Sequence, residues 1–260
     1  MAVSHAPQPC FSADIHQTRD PLSGHLDHLD ESQTAALAQF RSELVAESLI
    51  PADTAAYAEK IGYDRYDDQA LLRFLRARKF DLPKAKIMWA ANEKWRADFG
   101  ADEIAENGFD YPEQSEVDKY YPQYYHKIDR EGRPIYIEQL GKLDIPKLYA
   151  LTTQERQLKH LVSEYEKFFK YRLPACTKET GKLVETSCTI LDLYNAGISS
   201  FYRVKDYVSA ASTIGQNYYP ETMGHMFIVN VGGICINSTT PLSCYRSPHP
   251  DPELRRVPVT

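Results

Sequence analysis

From residue 26 onward the apolar positions are spaced as in helices. Leu37, Phe40, Leu44 and Ile50 fall near one stripe, with Ser32 placed to cap the helix and Pro51 to end it. Asp68 then precedes Leu71, Leu72, Phe74 and Leu75. Asp81, with Pro83 in the first turn, opens a helix carrying Ala85, Met88, Asn92, Trp95 and Phe99, which Gly100 stops. The pattern predicts a small helical module, assigned to residues 26–112. Beyond it the period changes. Arg133 to Leu140 reads as a strand preceded by the turn Asp129 to Gly132. Thr152 and Glu155 form a capping box for a helix with Leu158, Leu161, Val162, Tyr165, Phe168 and Phe169 on one face, closing before Pro174. The strand Ser187 to Leu193, a helix with Val204, Tyr207, Val208, Ala211 and Ile214, and the strand Met226 to Asn230 complete a β-α-β-α-β order. Strands joined by such helices pair in parallel through right-handed crossovers, so the fold class is α/β, with residues 113–230 as its sheet-bearing part.

Both ends lack this periodicity. Residues 1–25 are mixed polar with Pro7, Pro9 and Pro21, and are expected to form a disordered arm. Residues 231–260 begin with Gly232 and Gly233 and run into a proline-rich stretch, read as coil.

Composition narrows the function classes. The 260 residues are 43% hydrophobic and 25% charged, ordinary for a globular protein. With 30 Lys+Arg against 36 Asp+Glu the net charge is -6, so no global field draws nucleic acid and any anion site must be local. The longest stretch without acidic or basic residues, Thr222 to Tyr245, is broken by Asn230, Asn237 and Pro241 and does not read as a membrane span; the N-terminus has no signal-peptide pattern. Cys10, Cys176, Cys188, Cys235 and Cys244 are odd in number and never in a C-x-x-C pair, against a disulfide framework or zinc and for a reducing cytosol. No metal or cofactor is expected. His25 and His28, without a second ligand pair, read as solvated residues of the arm.

No P-loop, dinucleotide fingerprint or G-x-S-x-G elbow occurs. His126, His160 and His225 are isolated, and nothing in the spacing asks for a triad with Ser187 or Ser199. Three features point to binding instead. Arg73, Arg76, Arg78 and Lys79 gather toward a helix junction that can hold a phosphate, a solvated basic face being the plainer alternative. Tyrosines cluster in Tyr120-Tyr121-Pro122-Gln123-Tyr124-Tyr125-His126 and Tyr218-Tyr219-Pro220-Glu221; together with Tyr136 and Tyr165 they suit an amphipathic cavity, though core packing explains most of them equally well. Ser187 and Thr189, two apart, share one strand face with Cys188 on the other; their hydroxyls meet either backbone groups or a ligand.

The words Leu71 to Phe80, Glu93-Lys94-Trp95-Arg96, Tyr121 to Lys127, Gly132-Arg133-Pro134, Tyr171 to Cys176, Leu183 to Ile190 and Gln216 to Glu221 together resemble the fungal Sec-fourteen phosphatidylinositol/phosphatidylcholine transfer proteins of the CRAL-TRIO family, from about Ser32 to Asn230. The resemblance implies a helical module packed on a mixed or parallel sheet flanked by helices, with a cavity for one phospholipid exchanged between membranes and no catalysis. It assigns Ser187, Thr189, Tyr125, Tyr136 and Tyr165 to the phosphatidylcholine head group and Arg78, Lys79 and Glu221 to the phosphatidylinositol head group. It further implies a cytoplasmic protein peripherally bound to Golgi or endosomal membranes, serving secretory vesicle and protein transport, with phosphoinositide kinases as partners.

After Asn230 the family pattern gives way, and residues 231–260 are expected to derive from a retained intron or a wrong gene model, leaving the lipid domain incomplete at its C-terminus. Hiding acyl chains is worth ~0.8 kcal/mol per methylene, so a whole phospholipid in an open half-cavity stays exposed by on the order of 20 kcal/mol. Slow transfer is the expectation, and the alternative function is a regulatory product that holds no lipid.

Overall fold

The computed structural model describes residues 22–51, 53–195 and 198–230, the stretch 198–204 by backbone alone. The tail 231–260 and most of the N-terminal arm lie outside the described residues.

Helix α1 (Glu31–Ala46) is capped by Asp30 rather than Ser32. The Asp30 carboxylate accepts from the Gln33 backbone N–H while the Gln33 side chain accepts from the Asp30 N–H, a full capping box. Ser32 lies inside the first turn and donates to that same carboxylate at 2.6 Å. The helix stops well before Pro51. Helix α2 (Thr54–Ile61) follows an Asp53 cap, and α3 (Asp68–Ala77) an Asp67 cap. Helix α4 (Leu82–Phe99) has the predicted form, with Asp81 as cap, Pro83 in the first turn and Gly100 left-handed at its end. Lys79 and Phe80, with φ of 52° and 60°, both left-handed, make the α3–α4 corner. The apolar stripes of α1, α3 and α4 meet around Trp89, which is 1% exposed. Its ring stands edge-on to Phe74 at 4.8 Å and Phe40 at 6.3 Å, and its Nε1 donates to the Leu49 carbonyl.

The chain continues through α5 (Ala101–Asn107), α6 (Gln114–Val117), β1 (Gln123–Ile128), β2 (Pro134–Glu138), α7 (Ile145–Leu151), α8 (Gln154–Lys167), α9 (Leu173–Thr180), β3 (Ser187–Asp192), α10 (Ile198–Tyr218) and β4 (Met223–Val229). The sheet order is β1-β2-β3-β4, with β1 antiparallel to β2 and the other pairs parallel, so the sheet is mixed. Strand β1 is the strand the hydrophobic pattern does not announce, as the short helices α5, α7 and α9 also go unannounced. Gln-Tyr-Tyr-His-Lys-Ile alternates poorly, yet it pairs with β2 across the predicted turn, where Gly132 takes φ 88° and Asp129 accepts from the Glu131 and Arg133 N–H groups.

The helix expected to close before Pro174 runs past it. Between α8 and α9 lies one π-helical stretch, Phe168–Arg172, in which the Leu173 N–H bonds to the Phe168 carbonyl. Pro174 then sits in the first turn of α9, where its missing N–H costs nothing. Thr153, not Thr152, caps α8; Thr152 is buried and donates to Glu113.

A buried ionic knot joins the helical module to the sheet domain. Arg96 of α4 donates to Glu166 of α8 at 2.9 Å, both side chains about 4% exposed or less, and Glu166 also accepts from Tyr63 (2.7 Å) and Tyr219 (2.6 Å). Burial opposes the Arg96 charge, and Glu166 together with Tyr219, Tyr63 and Asp102 outweighs it, raising the pKa well above the usual guanidinium range. His25 is likewise not solvated. Its Nδ1 contacts the carboxylate of buried Glu185, while Arg76 donates to the Gly24 carbonyl at 3.0 Å, so residues 22–28 pack against α3.

Candidate functional site

Strand register brings the predicted residues into one row. Tyr125 of β1 lies opposite Tyr136 of β2, Tyr136 beside Thr189 of β3, and Thr189 beside Met226 of β4, so all four share one face. Ser187 lies on the same face two residues from Thr189. The Tyr125 and Tyr136 rings are 5.3 Å apart, and Phe168 from the π-helical stretch packs on Tyr125 at 6.2 Å. Tyr165 of α8 stacks on Tyr219 at 4.4 Å with planes 3° apart.

The two hydroxyls differ. Ser187 Oγ donates to the Thr222 carbonyl at 3.3 Å and is satisfied within the fold. Thr189 is 5% exposed, and its hydroxyl makes no hydrogen bond to another described residue. Burial pushes the Tyr125 and Tyr136 phenols up; beside Tyr136, Glu138 adds to the rise, whereas over Tyr125 the Arg172 guanidinium, 4.1 Å from the ring, works against it.

The polar half of this face includes Tyr121 and Gln123, which the sequence offered only within a tyrosine cluster, and Glu138, which it did not single out. Tyr207 completes it. The Tyr136 hydroxyl donates to Gln123 Oε1 at 3.1 Å, Tyr121 donates to the Glu138 carboxylate, and Tyr207 of α10 stands edge-on to Tyr121. Glu138 lies two residues from Tyr136 on the predicted strand and shares its face by the period of two, whereas Gln123 joins them only through the β1–β2 pairing. Burial raises the Glu138 pKa, partly offset by the Tyr121 hydrogen bond. A carboxyl whose folded pKa lies above its unfolded value has its full stability below the unfolded value and loses it as pH rises through the folded one. Glu138→Gln is therefore expected to raise Tm relative to the parent more at pH 8 than at pH 5, as thermal unfolding at the two pH values measures.

The second predicted cluster is only partly assembled. Arg78 caps α3 and donates to the Ala77 carbonyl at 3.0 Å, Lys79 is exposed at the corner, and Glu221, left-handed at φ 57°, sits before β4. No contact links Arg78 or Lys79 to Glu221 among the described residues. The arginines that reach this region are the two expected as part of a basic junction. Arg73 donates to the Glu221 carbonyl at 2.8 Å and the Glu185 carbonyl at 2.6 Å, and Arg76 lies 3.8 Å from the Glu185 carboxylate. Neither is a solvated cation: burial lowers both, Arg73 to about 10.

A helical module set against a mixed sheet whose inner face is lined with tyrosines and hydroxyls defines an α/β ligand-binding domain without a catalytic constellation in the row itself. The CRAL/TRIO domain sequence model matches residues 118–235, and the CRAL/TRIO N-terminal domain model matches residues 36–91. The chain belongs to the CRAL/TRIO family. It is 54% identical to the SEC14 cytosolic factor of Kluyveromyces lactis over 80% of its own length and 65% of the relative's. It is 48% identical to the Sec14 cytosolic factor of Schizosaccharomyces pombe over 80% and 68%. An Arabidopsis thaliana phosphatidylinositol/phosphatidylcholine transfer protein, SFH4, is 42% identical over 78% of this chain and 32% of that protein. The chain thus spans about two thirds of the length of the fungal relatives. The crystal structure of Sfh5 shares the fold, with a TM-score of 0.58 at 16% identity over 78% of this chain and 72% of that one.

Proposed function

We propose that the protein binds phospholipid and transfers it between membranes, as a carrier rather than an enzyme. The row Tyr125, Tyr136, Thr189 with Tyr165 above it carries the reading. Aromatic faces beside the half-buried Glu138 suit a quaternary ammonium group, and an unpartnered hydroxyl beside them suits a phosphate oxygen, so a phosphatidylcholine head group meets both chemistries. Phosphatidylinositol is the second ligand, with Arg78, Lys79 and Glu221 at its inositol phosphate. Residues 26–112 serve as the helical module and 113–230 as the lipid-binding part. Presentation of phosphatidylinositol to kinases from a cytoplasmic pool, at Golgi or endosomal membranes, is the cellular role that fits.

Native mass spectrometry of the purified 260-residue chain tests the reading. Co-purified phosphatidylcholine is expected, with occupancy falling about tenfold in Thr189→Val, the loss of one hydrogen bond to a charged group. Ser187→Ala, whose hydroxyl is already held by Thr222, is expected to lose less. A lipid-free parent, or a Thr189→Val variant as loaded as the parent, refutes the proposal.

A further inference from the structure

A cavity of about 340 Å³ lies between the helical module and the π-helical stretch, away from the sheet-face row. Phe74, Trp89, Phe169 and Tyr218 supply its aromatic walls, and Asn92 and Arg73 its buried polar lining. Cavities of about 150 Å³ already take benzene, so this space admits a substituted ring.

The lining selects the ligand's polarity. The guanidiniums facing the cavity are already engaged: Arg65 is bound in bidentate fashion by Glu93 at 2.5 and 2.6 Å, Arg96 is held by Glu166 and Asp102, and Arg73 bridges two carbonyls. Each of these charges already has a carboxylate near it, Glu185 in the case of Arg73, and Asp64 and Asp67 also line the space, so a neutral ligand is favoured over an anion. Asn92 is different. It is 4% exposed, its Nδ2 leans toward Glu93 Oε1 at 3.5 Å, and its Oδ1 has no partner among the described residues. A buried acceptor left unmade is costly, and a ligand donor relieves it.

We propose that this cavity is a second ligand site, which takes a small neutral aromatic molecule bearing one hydroxyl or N–H donor, held between the rings with its donor on Asn92 Oδ1. The site is coupled to the lipid row through one layer of rings. Phe169 stands 6.2 Å from Tyr219, which stacks on Tyr165, and the adjacent Phe168 packs on Tyr125. The binding itself does not depend on whether lipid occupies the sheet face.

Phenol and toluene, matched in size and differing in the donor, are the probes. Titrated into the full 260-residue chain by NMR, phenol is expected to saturate and to shift the Asn92 side-chain amide and the Trp89 indole N–H, binding about tenfold more tightly than toluene. Asn92→Leu is expected to reverse that preference. Ala70→Phe, a partly exposed position on the cavity wall, is expected to abolish binding of both without touching the buried core. Non-saturating shifts, which leave only water in the cavity, equal binding of the two probes, or shifts at Tyr136 and Thr189 in place of Asn92 and Trp89 each overturn the proposal. Undiminished phenol binding by folded Ala70→Phe does so as well.

Discussion

Arg96→Leu is expected to lower the unfolding free energy by about 3–5 kcal/mol, because it strands a carboxylate that the fold has buried for a partner. Glu166 is about 3% exposed and receives the guanidinium together with the Tyr63 and Tyr219 hydroxyls. Without Arg96 the two phenols remain as donors but no opposite charge does, and Asp102, which also pairs with Arg96 at 2.7 Å, loses its nearest cation. Urea denaturation of the parent and variant measures the loss. The double variant Arg96→Leu with Glu166→Leu is expected to recover much of it, since replacing a whole buried pair by apolar groups of similar volume is often neutral or better. A single variant within 1 kcal/mol of the parent removes the knot as the bolt between module and sheet.

That knot shows where sequence reading stops. Glu93-Lys94-Trp95-Arg96 is visible as a word, but that Arg96 points into α8 rather than solvent depends on a contact 70 residues away. Features set by local chemistry were readable. The Asp81 cap with Pro83 and Gly100 bounds α4 as expected, and β2, β3 and β4 appear where short apolar runs interrupt the helical period. Strand β1 was hidden because its outward residues include Tyr124, 43% exposed, which blurs the alternation. Pro174 misled for a different reason: the π-helical stretch shifts the ladder so that the proline falls where no donor is needed. The face shared by Ser187 and Thr189 followed from period two alone, whereas the inequality of their hydroxyls depends on the Thr222 carbonyl, which only the β3–β4 pairing brings near. The basic run at Arg73 to Lys79 divides likewise. Two of its members are interior struts and two remain at the corner, a distinction carried by the helix face and not by composition.

Arg73→Met is the other substitution expected to cost most, about 2–5 kcal/mol by urea denaturation. Its guanidinium spans from α3 to the Glu185 carbonyl before β3 and the Glu221 carbonyl before β4, and methionine fills the volume while leaving both acceptors unpaired. The buried Glu185 carboxylate, whose pKa is lowered against burial by the His25 contact and then by Arg73 and Arg76, loses one of its cations as well. Arg73→Lys separates geometry from charge. A single ammonium keeps the charge but has no planar fork to reach two carbonyls, so it is expected to recover only part of the stability. It also bears on ligand preference. Glu221 is held left-handed at φ 57° with its carbonyl on Arg73, so releasing that bond frees the residue placed at the inositol phosphate while the Tyr125, Tyr136 and Thr189 row keeps its strand register. With Glu221 at the inositol phosphate as proposed, the folded Arg73→Lys protein is expected to lose phosphatidylinositol several-fold more than phosphatidylcholine in a mixed-lipid loading experiment. Equal loss of the two places Glu221 outside the inositol site and leaves Arg73 a strut alone.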